Sequence, residues 1–144
     1  MTGCRPDQVK PSPLSPMEML QSRTLVAPAD FELAMARCVA FGMRTLRVYG
    51  PLEDPAGVVF AIGGGGMLEL SRQIGPPPSG VRLWIQVPTL ADAVAELASR
   101  SYPGQVGSVE HQPWGLIECE IELFGGVAVV LVEVPREHPL HWRA

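Results

Sequence analysis

Residues 80 to 97 change period halfway along. Val81, Leu83, Ile85 and Val87 are separated by Arg82, Trp84 and Gln86. That alternation puts aliphatic side chains on one face of a strand and a cation, an indole and an amide on the other. Pro88 ends the run, Thr89 is a capping type, and Leu90, Ala93, Val94 and Leu97 follow at i, i+3, i+4 and i+7, the apolar stripe of a helix. Tyr102, Pro103 and Gly104 break it.

The same order occurs earlier in the chain. "RTLVAP" runs into Pro28, Asp30 is placed to cap, and Phe31, Ala34, Met35 and Cys38 repeat the helical spacing up to Gly42. Extended pieces follow each helix: "TLRVYG", "VVFAIG" and "MLELS" in one half, "QVGSVEH", "GLIECEIEL" and "VAVVLVEV" in the other. Glycines in "IGGGGML" and "LFGGVA" supply the turns of two hairpins.

The pattern predicts an α+β fold of two βαβββ modules, forming a concave, cup-shaped mixed sheet with helices on its convex side. Residues 22–74 form the first module and 81–134 the second, joined by the stiff linker 75–80, "GPPPSG". A proline-rich arm, 1–21, precedes them and a tail, 135–144, follows. The arm either crosses onto a partner subunit or is a disordered tail.

If the helices cover one sheet face, parity assigns the other face to the cup. The second half then presents Arg82, Trp84, Gln86, Glu118, Glu120, Glu122, Ala128, Val130 and Val132. The first half presents Arg23, Leu25, Ala27, Met67, Glu69 and Ser71, with Arg47 and Tyr49 beside them.

Composition acts mainly by exclusion. A net charge of −4, a pI near 5.3 and no Lys/Arg run argue against a nucleic-acid partner. No stretch is long and apolar enough for a membrane span or a signal peptide, so no membrane partner is expected. Three cysteines, with Cys38 on an apolar helix face, point to reduced thiols and a cytoplasmic location. "GGGG" lacks the spacing of a phosphate loop, and His111, His138 and His141 have no carboxylate or cysteine pattern to complete a metal shell.

The two segments from "RTLV" to "LELS" and from "RLWIQV" to "VLVEV", with "PWG" before the last hairpin, resemble the vicinal oxygen chelate superfamily of glyoxalases, bleomycin-resistance proteins and extradiol dioxygenases. In the metal enzymes of that family, the resemblance implies four chelating positions, which fall here on Arg23, Glu69, Arg82 and Val130. Only Glu69 has a lone pair to give; guanidinium groups repel a dication. The family's "DPdG" turn is replaced by Leu123, Phe124, Gly125 and Gly126.

The resemblance is therefore nearest to the metal-free antibiotic-binding members. It implies a non-catalytic protein that sequesters an aromatic or peptide-type natural product, in self-resistance or carriage, within a crevice of a homodimer. No metal or cofactor is expected. The expected ligand-binding residues are Trp84, Arg82, Gln86, Glu69, Arg23, Tyr49, Met67, Trp114 and Val130, with Trp84 as a stacking surface. The alternative is a lyase, isomerase or dioxygenase of the same fold, using a metal site or Glu69 as general base.

Overall fold

The computed structural model describes residues 15–72 and 75–141. Cys4, Trp142 and most of the expected arm lie outside them.

In the first half, β1 (Ser22–Val26) leads into α1 (Phe31–Phe41), then β2 (Arg44–Tyr49), β3 (Gly57–Ala61) and β4 (Gly66–Ser71). The second half repeats the order with β5 (Val81–Gln86), α2 (Leu90–Ser99), β6 (Glu110–His111), β7 (Ile117–Phe124) and β8 (Val127–Glu133). Asp30 caps α1 as expected, its Oδ1 accepting from Leu33 N at 3.0 Å. Thr89 makes no side-chain cap bond. Glu133, at the end of β8, reaches α2 instead and accepts from Leu90 N at 2.8 Å. A carboxylate there satisfies an orphan amide and faces the positive end of the helix.

The strands form two four-stranded mixed sheets, ordered β1-β4-β3-β2 and β5-β8-β7-β6. β1 lies parallel to β4 and β5 parallel to β8; the other pairs are antiparallel. Thus the α+β class and the doubled βαβββ order hold, while the eight strands are divided between two sheets instead of being joined in one.

The expected parity is observed in β1, β4, β5, β7 and β8. Val26, Leu68, Leu70, Leu83, Cys119, Ile121, Val129 and Leu131 are buried in one core with Phe31, Ala34, Cys38, Leu90 and Leu97 of the helices. Burying a single Leu or Phe contributes about 1.5–3 kcal/mol, so a core spanning both modules couples their folding.

Helix α1 contacts β4 of its own sheet and β7 of the other. Arg37 on α1 donates to the Leu123 carbonyl at 3.3 Å, and Phe41 meets Tyr102 edge-on with ring centroids 5.8 Å apart. With α1 between the sheets, their outer faces point to different sides of the chain. A cup lined by both modules is therefore not closed within one chain.

The expected strand at "QVGSVEH" is reduced to Glu110–His111 and a bridge from Val106 to Ile121. The backbone before it runs very close to β7: Gly107 N donates to Glu120 O at 2.8 Å, and Glu122 N donates to Gln105 O at 2.9 Å. A Cβ on Gly107 would lie 2.8 Å from Glu120 O, and one on Gly104 2.5 Å from Glu122 O. Glycine is required there by close approach, which no hydrophobic period announces. Among the described residues, no helix is long and apolar enough to cross a membrane.

Removing the strand-to-helix cap tests this arrangement. Glu133→Ala should lower stability by about 1–2 kcal/mol in urea unfolding, whereas Thr89→Ala should change it by under about 0.5 kcal/mol. Equal losses would return the capping role to Thr89. A second expectation concerns Cys38, whose thiol is pushed by burial to about 12, and Cys119, which burial also raises. Both should resist iodoacetamide in the folded protein at mildly alkaline pH and react in denaturant, as mass spectrometry would read.

Candidate functional site

The outer face of the first sheet carries a polar network that joins β1, β4 and β2. Arg23 on β1 donates from Nη1 to Glu69 Oε1 on β4 at 2.8 Å and to Tyr49 OH on β2 at 3.3 Å. Its Nη2 donates to Gln21 at 3.2 Å. The Arg47 guanidinium stacks 4.6 Å above the Tyr49 ring. Val59 of β3, paired in register with Glu69 and Arg47, is only 2 % exposed. Hydrogen bonds to Glu69 and then to Tyr49 raise the Arg23 pKa above its usual value, so its charge is permanent. Met67 is half-buried on this face between Arg23 and Ala61.

The outer face of the second sheet is organised in rows. In register across β5, β8 and β7 lie Arg82–Ala128–Glu122, Trp84–Val130–Glu120 and Gln86–Val132–Glu118. Each row therefore runs from a polar or aromatic residue, over an aliphatic floor, to a glutamate. Arg82 pairs diagonally with Glu120 at 2.9 Å. Trp84 is 51 % exposed. Val130 and Val132 are buried in a small second core with Leu116 and Val134.

Two crevices open on this face. One, of about 490 Å³, is lined by Arg82, Glu120, Glu122, Phe124, Ala128 and the backbone of Gly80, Gln105 and Gly107. The other, of about 280 Å³, lies between Arg82, Glu110, Gln112, Glu118, Glu120 and Val130. Glutamates outnumber cations along both walls, so a positive group is favoured over a negative one. Trp114 stands beside the smaller crevice, 57 % exposed, its indole N–H donating to Glu118 Oε2 at 3.2 Å.

The expected site residues thus separate into two sets. Arg23, Tyr49, Met67 and Glu69 share the first sheet's outer face; Arg82, Trp84, Gln86 and Val130 share the second's, with Trp114 at its border. The pairing of Arg23 with Glu69 is present. Arg82 pairs with Glu120 on its own sheet, and Glu69 belongs to the other. The 105–112 segment, including Glu110 and Gln112, lines the crevices without having been anticipated. Its only sequence signal was the glycine pair at 104 and 107.

The side chains do not fit a chelated metal. Of the four positions that the resemblance implies, Arg23 and Arg82 carry guanidinium groups already held by carboxylates, and Val130 has no donor atom. Among the described residues, no group of three or more His, Cys, Asp or Glu side chains is placed to hold an ion. His138 is engaged at both ring nitrogens, Nε2 with the Trp114 carbonyl at 3.1 Å and Nδ1 accepting from Leu140 N at 3.1 Å.

No family model matches the sequence, and no curated protein matches it. Solved structures do. TnmS3, an antibiotic binding protein from Streptomyces sp. CB03234, is 19% identical, with a TM-score of 0.67 over 84% of this chain and 100% of its own. The bleomycin resistance determinant encoded on transposon Tn5 is 18% identical, with a TM-score of 0.61 over 81% of this chain and 98% of its own. A lactoylglutathione lyase from Agrobacterium tumefaciens is 20% identical, with a TM-score of 0.58 over 83% of this chain and 96% of its own. Near-complete coverage of each structure, together with the doubled βαβββ order, identifies the architecture: this chain has the fold of the glyoxalase/bleomycin resistance proteins.

Proposed function

We propose that this protein binds an aromatic or peptide-like small molecule without transforming it, sequestering or carrying a natural product over the outer face of its second sheet. The observation that carries this reading is the fate of the positions equivalent to chelators. Arg23 and Arg82 occupy two of them, each neutralised by a glutamate on its own sheet, while Trp84 stays half-exposed above a dry valine floor. The resemblance to TnmS3 and to the Tn5 bleomycin resistance determinant supports the same class of ligand. The lyase it also resembles does not change the balance, since Glu69 alone of the four positions implied by the resemblance carries a donor and it is paired with Arg23.

Magnitudes limit what the face does alone. Stacking on one indole contributes about 0.5–1.5 kcal/mol beyond area burial, whereas a micromolar complex requires about 8 kcal/mol. Most of a bulky ligand's surface must therefore be covered, and a sheet open on one side covers half of it. In this reading a second copy supplies the missing wall. Since the two outer faces point to different sides of a chain, a two-fold dimer brings the first sheet of one copy over the second sheet of the other and builds two equivalent crevices. The two buried free thiols, Cys38 and Cys119, fit a reducing cytoplasm.

Titration with bleomycin, a glycopeptide antibiotic with a planar bithiazole group, followed by tryptophan fluorescence, tests the binding surface. The signal change should vanish in Trp84→Ala and persist in Trp142→Ala; a change untouched by the first substitution would remove Trp84 from the site. Sedimentation should show a dimer at micromolar concentration. Purified protein should contain less than stoichiometric zinc, nickel, manganese or iron, and one equivalent of any of them would overturn the non-catalytic reading.

A further inference from the structure

The two crevices of the second sheet share Arg82, Gly107 and Glu120 in their linings. Ala128 lines only the larger one and Val130 only the smaller. These are the β8 partners of Arg82 and Glu120 respectively. The ion pair therefore runs from β5 to β7 over β8, passing between Ala128 and Val130, with a crevice on each side. Glu122 lies in the larger compartment and Glu118 in the smaller.

We infer that the Arg82–Glu120 ion pair is a removable partition that sets the size of ligand this face accepts. Closed, it leaves separate compartments of about 490 and 280 Å³. Open, it joins them into one trough along the sheet, floored by Ala128 and Val130. This inference rests on the second sheet being the binding face.

The pair is suited to opening. Its side chains are 61% and 55% exposed, and an ion pair so well solvated biases the closed state by at most about fivefold. Both stems are flexible and both charges return to water when they part, so no buried charge is stranded. Nothing comparable holds on the first sheet, where Arg23 and Glu69 are 30% and 18% exposed and Tyr49 also accepts from Arg23. That network is a fixed wall. The small side chain of Ala128 also matters: a larger residue would fill the space beneath the pair and keep the compartments apart after it opened.

The experiment uses two cationic probes of different size, benzamidine for one compartment and ethidium for the joined trough. Affinities are measured by calorimetry and by ethidium fluorescence in the full-length protein, in Arg82→Ala and in Glu120→Ala. The substitutions change the local charge in opposite directions, but each removes half of the partition. The ratio of ethidium to benzamidine affinity should rise about three- to fivefold in both variants. Ala128→Leu, with the pair intact, should lower that ratio. Ratios moving in opposite directions in Arg82→Ala and Glu120→Ala would show that charge alone governs the face and overturn the partition. If neither probe binds the unmodified protein, the binding reading itself fails. Matching melting temperatures identify variants that have kept their fold, and Arg82→Ser or Glu120→Ser, which also removes the long side chain, serves as a replacement for one that has not.

Discussion

Helix α1 is apolar around much of its circumference: Phe31, Ala34 and Cys38 are fully buried, and Met35 and Phe41 pack against the same core. One sheet covers only one side of such a helix. Burial on the other side is provided by β7 of the second module, and the cost of leaving that apolar surface in water is what fixes how the halves meet. Once α1 lies between the sheets, each sheet's remaining face turns outward. The location of every candidate ligand-binding residue follows from that single packing choice.

An outward face is also a solvated one, and this explains its charges. Arg23 and Arg82 each have a carboxylate within 3 Å on their own sheet. The two pairs differ in setting. The first is half-buried and tied to Tyr49, while the second is open to water. Solvent screening makes a surface ion pair weak and a more enclosed, hydrogen-bonded one persistent. The same residue types thus form an enclosed, hydrogen-bonded pair on one sheet and a solvent-exposed pair on the other.

The linker and the hairpin turns complete the frame with little chemistry of their own. The carboxylate of Glu133 ties the last strand to the start of α2, and Arg72 ties the loop after β2 to the start of α1, with 2.6 Å to Glu32, 2.9 Å to the Pro55 carbonyl and its guanidinium 4.3 Å over Phe31. Each module is latched to its helix by one long-range polar contact.

The sequence alone determined the elements and the faces. Period-two runs and i, i+3, i+4 stripes are local properties, read from neighbours, and they placed Arg82, Trp84 and Gln86 opposite Leu83, and Glu69 opposite Leu68 and Leu70, correctly. Of the four positions that the resemblance singled out, the sequence left only Glu69 able to donate a lone pair. Only the tertiary structure decided that the faces of the two modules look apart, that Arg82 chooses Glu120, and that the 105–112 segment becomes a crevice wall. Those outcomes depend on distances between residues far apart along the chain, set by how one helix is buried between two sheets and by two glycines that let the backbone touch β7. Periodicity carries no information about either.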